Sequence, residues 1–259
     1  MKKTGMLLAI FIFLLPCTVL APMAISMMPP KMEFYLKPKK KVREVIELEN
    51  RGFKPTRLKV YVTGFSIQEK GNLNFSRKDY TAEKWIKINP NELEIKPYDY
   101  GLVRYEIRVP EGTPAGSYTA CIMIEEVIEP KRGEKRAQFI IKGRLAHIIY
   151  VNVGKPNYQG KIEWLKVKKK KGKLIFSFGL KNEGNFYFRT EGRLKIEGEK
   201  GVREIPIPNL PVLRQTSRII EVTIPKGLPL GKYRALLSLD IGAKTPLKAE
   251  TEFAITESN

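Results

Sequence analysis

One phrase occurs twice in this chain. Ile107 to Tyr118 reads IRVPEGTPAGSY, and Val222 to Tyr233 reads VTIPKGLPLGKY. A shorter phrase precedes each copy, where an apolar strand runs into Asn50-Arg51-Gly52 and again into Asn182-Glu183-Gly184. The same two phrases in the same order predict two similar modules in tandem. Asn50 lies 60 positions before Pro110, whereas Asn182 lies 43 before Pro225. The first module therefore carries about 17 extra residues, expected between Gly64 and Lys84.

The apolar period is two throughout. Val103, Tyr105, Ile107 and Val109 alternate with Arg104, Glu106 and Arg108, and the same spacing runs through Leu58, Val60 and Val62, through Leu174, Phe176, Phe178 and Leu180, and through Tyr233, Ala235, Leu237 and Leu239. Such alternation marks half-buried strands, and no stretch after the N-terminus sustains a helical period. Gly, Pro and Asn punctuate the runs at turn spacing. The fold class that follows is all-β, with two tandem immunoglobulin-like sandwiches over residues 29–154 and 159–256 and a linker at Gly154 to Asn157. Seven or eight strands are expected from Met32 to Asn152 and seven from Lys161 to Ile255. In each repeated phrase a strand ends at the proline, a Gly-x-Pro-x-Gly turn follows, and a tyrosine opens the next strand. Tyr118 and Tyr233 are assigned the corner role, ring inward and hydroxyl bonded back to the chain.

Lys2 and Lys3 precede an apolar run from Met6 to Leu20 and then small residues, the layout of a secretory signal. Ala24-Ile25-Ser26 offers a cleavage site after Ser26, giving a signal peptide over residues 1–26 and a periplasmic or secreted product. Cleavage after Ala21 would leave Pro22 first, which signal peptidase disfavours. Cys17 follows Pro16, where a lipidation motif wants a small residue. Retention of the run as an anchor is the one route to a membrane, because the apolar stretch approaches spanning length. Beyond the signal the sole cysteine is Cys121, so no intramolecular disulfide can form.

The chain carries a formal charge of +20, or +18 without the signal's two lysines. That balance favours anionic partners, and for an exported protein these are envelope polymers or acidic proteins, with no nucleic acid expected. Basic clusters at Lys37 to Arg43, Lys131 to Arg136 and Lys166 to Lys173 fit solvated strand ends and turns. One histidine and three aspartates, Asp79, Asp99 and Asp240, are too few for a zinc or calcium site. No cofactor loop, metal set or catalytic constellation is expected, and His147 reads as a packed strand residue. Glu125 and Glu126, as strand neighbours, point to opposite faces and cannot converge as an acid–base pair. Tyr98-Asp99-Tyr100 and Phe186-Tyr187-Phe188 could stack on a sugar, but aromatics in a strand-rich chain are expected in the core.

The first module resembles the N-terminal domain of the PapD-like periplasmic chaperones of pilus assembly. The matching strings are VREVIELEN (Val42 to Asn50), WIKINP (Trp85 to Pro90), LEIKP (Leu93 to Pro97), Val103 to Pro110 and Gly116-Ser117-Tyr118. The resemblance implies an exported, non-enzymatic protein that needs no cofactor and lends the last long strand of module one to a protein client. Ala137 to Val153 is that strand, with Phe139, Ile141, Leu145, His147, Ile149 and Val151 as pairing positions. The alternative for the same strand is burial on both faces. Family members grip the client's terminal carboxylate with an arginine and a lysine, and the matching places here are Phe34 and the vicinity of His147. Lys37 and Arg144 are the nearby cations that could substitute. A different reading, from charge alone, is a secreted adhesive or scaffold module binding anionic cell-envelope polymer.

Overall fold

The computed structural model describes residues 24–75, 79–128, 142–170, 173–199, 201–224 and 228–256. The N-terminal half contributes β1 (Ile25–Met28), β2 (Lys31–Leu36), β3 (Lys41–Asn50), β4 (Thr56–Thr63), β5 (Ser66–Ile67), β6 (Leu73–Asn74), β7 (Ile86–Asn89), β8 (Glu92–Ile95), β9 (Tyr100–Arg108), β10 (Gly116–Glu126) and β11 (Arg144–Val153). Two layers form a sandwich, one sheet in the order β1-β3-β9-β7 and the other in the order β2-β11-β10-β4-β8. Alternation sets the layers: Ile46 and Leu48 of β3 and Val103, Tyr105 and Ile107 of β9 turn inward, against Leu58, Val60, Ile122, Ile124, Ile149 and Val151. The strand count exceeds expectation for identifiable reasons. Pro29 and Pro30 interrupt what would be one first strand, and because proline donates no ladder bond the chain crosses there from one sheet to the other. The extra segment after Gly64 adds the small β5–β6 hairpin and a single 3-10 turn at Glu83–Trp85.

The C-terminal half follows with β12 (Gly160–Lys170), β13 (Lys173–Asn182), β14 (Phe188–Arg189), β15 (Glu191–Gly198), β16 (Gly201–Pro206), β17 (Pro211–Val212), β18 (Ser217–Ile224), β19 (Gly231–Asp240) and β20 (Leu247–Ile255). Its layers are β12-β13-β18 and β16-β15-β19-β20, with β14 and β17 as a two-residue pair. Seven long strands remain once that pair is set aside. Phe176, Phe178, Leu194, Ile220, Leu237 and Leu239 fill the space between the layers. Among the described residues no helix is long and apolar enough to cross a membrane.

The duplicated phrases are duplicated in hydrogen bonds. Asn50 is fully buried, its amide donates to the Lys54 carbonyl at 2.8 Å and the Ile95 carbonyl at 3.0 Å, and its Oδ1 accepts from the Gly52 N–H at 2.9 Å. Asn182 repeats this with the Phe186 carbonyl at 2.8 Å, the Val212 carbonyl at 3.0 Å and the Gly184 N–H at 2.9 Å. The Tyr118 hydroxyl donates to the Pro114 carbonyl at 2.9 Å, and Tyr233 donates to Pro229 at 2.8 Å. Both tyrosines hold the corner position expected of them.

A third apolar cluster joins the halves. Phe65 and Ile67 from the extra segment, Cys121 and Met123 of β10 and Tyr150 of β11 pack against Tyr187 and Leu213 of the C-terminal half. Tyr150 and Tyr187 stack with centroids 4.5 Å apart. The Arg214 guanidinium lies over the Tyr80 ring at 4.1 Å, a cation–π contact. Main-chain bonds cross as well, Ser117 N–H to the Asn185 carbonyl at 2.9 Å and Ile219 N–H to the Glu69 carbonyl at 2.7 Å. Because β10 serves the first core with one face and this cluster with the other, nine of its eleven residues are buried. Burial raises the Cys121 thiol to about 12 and leaves it chemically quiet.

Ser26, the expected cleavage point, sits inside β1, opposite Glu49, with its hydroxyl 3.0 Å from that carboxylate. Ile25 is buried in the first core, and the Ala24 carbonyl accepts the Arg51 N–H at 2.8 Å. A chain beginning at Met27 is expected to melt several degrees below one beginning at Ala24, because burying Ile25 alone stabilises by about 2 kcal/mol. Asn50→Ala and Asn182→Ala, measured by denaturant unfolding, are each expected to cost about 2–4 kcal/mol, since each leaves buried carbonyls without a donor. Tyr118→Phe and Tyr233→Phe are expected to cost about 1 kcal/mol each.

Candidate functional site

β11 is the strand singled out from the sequence, and its two ends differ. From Ile148 to Val153 it is a central strand, paired with β10 on one side and in parallel with β2, Lys31 to Leu36, on the other. Ile149 and Val151 are fully buried in the first core, and Tyr150 is covered by the C-terminal half. Ile149 and Val151 therefore do not offer a pairing face in this structure: their side chains fill the sandwich and both edges of their main chain are taken. The alternative of a strand buried on both faces describes this end. Phe139 and Ile141 lie outside the described residues.

The other end, Arg144 to His147, pairs with β10 alone. The Gly143 carbonyl accepts the Glu126 N–H on the β10 side, and the Ile148 N–H reaches the Pro30 carbonyl on the β2 side. Main-chain groups alternate along a strand, so those of Arg144 and Ala146 face the β2 side. β2 starts only at Lys31, opposite Ile148. That short edge is open among the described residues. Leu145, half-buried against the first core, and Ala146, half-buried against the joining cluster, flank it.

His147 marks the boundary between the open and the paired end. It is fully buried, with Nδ1 2.7 Å from the Pro29 carbonyl and Nε2 3.1 Å from the Tyr105 hydroxyl. A carbonyl can only accept, so Nδ1 carries the proton and Nε2 accepts from Tyr105. Burial lowers the ring's pKa, opposed by the Pro29 bond. The imidazole is thus a neutral bracket tying β11 to the chain between β1 and β2, with no free nitrogen for chemistry.

The two cations considered as carboxylate anchors do not converge. Arg144 opens β11 beside Glu125 and Tyr61, while Lys37 follows Leu36, the partner of Val153 at the strand's far end. Nine residues of extended chain separate the two ends, about 30 Å. Phe34, and His147, near which the second matching place falls, are both buried. The cleft between the halves is instead acidic and aromatic. Some 360 Å³ of space is lined by Glu33, Tyr35, Tyr158, Tyr187, Glu191 and Asp240 among others. Glu33 accepts from the Asn152 amide at 2.7 Å and the Tyr35 hydroxyl at 2.9 Å. Burial, reinforced by Glu33, pushes Tyr35 up to about 12 and Tyr187 up as well. Arg189, the cation at the cleft, is engaged by Asn209.

The aromatic groups divide against expectation. Phe186, Tyr187 and Phe188 are buried, but Tyr98, on the turn between β8 and β9, and Tyr100, the first residue of β9, are 62% and 58% exposed where no layer covers them. Of the basic clusters, Lys131 to Arg136 lies outside the described residues. Lys166, Lys168, Lys169 and Lys170 lie along β12, an edge strand, and Lys166 sits 5.2 Å over the Trp164 ring, as suits edge protection. Among the described residues no group of three or more His, Cys, Asp or Glu is placed to hold a metal.

The chain's one histidine gives its pH dependence a definite sign. With the folded pKa below the ordinary 6.5, the unfolded chain takes up a proton that the folded chain refuses. The contribution is complete above pH 6.5 and is lost as pH falls toward the folded value. Thermal melts between pH 7.5 and 5.5 should decline on acidification, and His147→Gln should flatten that decline while lowering the melting temperature at neutral pH.

No protein-family model matches the chain. No curated protein is similar to it in sequence. Among solved structures it is similar to the YadV chaperone (12% identity, 88% of this chain and 100% of that one, TM-score 0.48) and to the class 5 fimbriae chaperone CfaA (11%, 87% and 98%, TM-score 0.48). It is also similar to the E. coli chaperone DraB, at 12% identity over 89% of this chain and 97% of that one, with a TM-score of 0.42.

Proposed function

We propose that the protein is an exported, non-enzymatic, chaperone-like partner in the assembly of surface or pilus-type proteins, and that it engages its client by β-strand pairing at the open edge of β11. The observation that carries the reading is the edge itself. Among the described residues, the main-chain groups of Arg144 and Ala146 on that side have no partner, beside a sheet that is formed on the other side. An added strand gains affinity from such groups without any rearrangement of the sandwich. The resemblance of the first module to the pilus chaperones supports the same reading, and so does the secretory layout of the N-terminus. Carboxylate anchoring by Lys37 with Arg144 is not part of the proposal. Residues 29–154 and 159–256 are proposed as the two structural units, with the cleft between them as a secondary contact for the client.

Ala146→Pro removes the one main-chain donor of that residue, which points to the open edge, and spares the ladder to β10. The expected outcome is a melting temperature within a few degrees of the parent and loss of client co-purification from the native envelope. Ile149→Asp and Val151→Asp should instead destabilise the free protein by about 4 kcal/mol or more, as an unpaired charge in a full core does. Retained co-purification in a folded Ala146→Pro variant would remove strand pairing at this edge as the mechanism.

A further inference from the structure

Large apolar side chains are exposed at eleven described positions, and six of them, Met28, Val45, Phe53, Tyr98, Tyr100 and Leu102, lie on one sheet face and the tip that adjoins it. Met28 and Leu102 flank Glu47 on neighbouring strands, and Tyr100 stands opposite Glu49. Phe53, 86% exposed, meets Tyr98 edge to face at 5.7 Å on the tip itself. The pair is held out rigidly: the Asn50 amide fixes the Lys54 carbonyl, and the Tyr98 N–H bonds the Asn50 carbonyl at 2.8 Å. Lys54 and Lys96, each close in sequence to one of the rings, are exposed, as are Asp99 and Arg51, the last paired with Glu49 at 2.6 Å. Two aromatic rings displayed on such a turn form an exposed patch of the kind that marks an interaction surface.

The chain enters the sandwich at this tip. Ala24 bonds Arg51, and a Cβ on Gly52 would stand 3.0 Å from the Ala24 Cβ. Upstream, Thr4 to Met23 carries no charge over 20 residues, with Lys2 and Lys3 beyond it. That length suffices for a bilayer span, and the two lysines set its cytoplasmic end. Leu20 and Ala24 are four residues apart, about 14 Å at full extension. Were that stretch to span with its end near Leu20, the tip would lie within reach of the headgroups.

We propose that the tip formed by Phe53, Tyr98 and Tyr100 with Arg51, Lys54 and Lys96 docks on an anionic lipid surface, next to the point where the retained N-terminal segment enters the bilayer. Tyrosine and phenylalanine rings partition to the headgroup level, and cations beside them are drawn to anionic lipid. The inference is independent of strand pairing at β11.

The test uses the full chain reconstituted in phosphatidylglycerol–phosphatidylcholine vesicles that contain brominated lipid. Tryptophan is introduced as Phe53→Trp, and as Val202→Trp at an exposed site of β16 in the other half. After subtraction of the parent signal from Trp85 and Trp164, quenching at position 53 should exceed that at position 202 at least twofold. It should fall when phosphatidylcholine alone replaces the mixture. Equal quenching at both positions overturns the proposal. Blue-shifted, unquenched emission at position 53 with elution as a dimer overturns it in favour of a contact between two copies. Recovery of the native protein with an N-terminus beyond Leu20 overturns the anchored arrangement directly.

Discussion

Each half of this protein is organised around one buried asparagine. Asn50 and Asn182 end the strand of their sandwich at a place where the chain leaves the ladder, turns and passes a returning segment. Carbonyls at such a crossing have no strand partner, and an unsatisfied carbonyl in the core costs more than a typical hydrogen bond returns. One carboxamide solves this twice over: its N–H2 group closes the turn at the fourth residue onward and ties in the returning strand, while its oxygen takes the amide of the following glycine. Aspartate could accept but not donate, and a serine could not reach both carbonyls. The tyrosine corners depend on the same turn chemistry, since Tyr118 and Tyr233 bond a proline carbonyl four residues back.

The joining cluster determines which part of β11 remains available. Had the N-terminal sandwich stood alone, Tyr150, Ala146 and Ile148 would form an apolar outer face. Tyr187 and Leu213, with the β5–β6 hairpin, cover it instead. Covering one face, filling the other and pairing both edges leaves no binding surface between Ile148 and Val153. The open segment is confined to the residues before β2 begins, and His147 stands at that limit with both ring nitrogens engaged.

Much of the architecture was legible because it depends on local chemistry. Period-two alternation in Val103 to Val109 gives the inward face of β9 directly, and the doubled phrase gives equivalent corners. The extra residues between Gly64 and Lys84 were also visible as a difference in spacing. What they do was not, because a two-residue hairpin that docks on another half has no signature of its own. Apolarity on both faces of Leu145 to Val151 was visible too, but covering by a client and covering by Tyr187 require the same side chains. Tyr98 and Tyr100 were expected inside on the ordinary preference of aromatics, and that preference fails at a turn and strand start that no layer covers. Lys37 and Arg144 were each near a matched position in the sequence, Phe34 and the vicinity of His147, yet a strand's length separates them. Nearness in sequence to two matched positions says nothing of where along the strand each cation lies.

The same registers order the sandwich from end to end. Thr56 pairs with Ile95 beside the Phe53–Tyr98 tip, and Glu126, two residues further along the ladder at Leu58, lies next to Gly143 and Arg144. The open edge of β11 is therefore at the tip end. Val153 and Gly116, which pair with each other, mark the opposite end, where the C-terminal half attaches. The open edge and the aromatic tip fall on one end of one sandwich, while the second half covers β11 at Tyr150 and, through the joining cluster, reaches Ala146. If both proposals hold, a client taken up at that edge would be received close to a membrane surface. The acidic cleft, lined by Tyr35 and Asn152, lies toward the opposite end of the sandwich, so its carboxylates would be kept apart from a surface that draws the tip's cations.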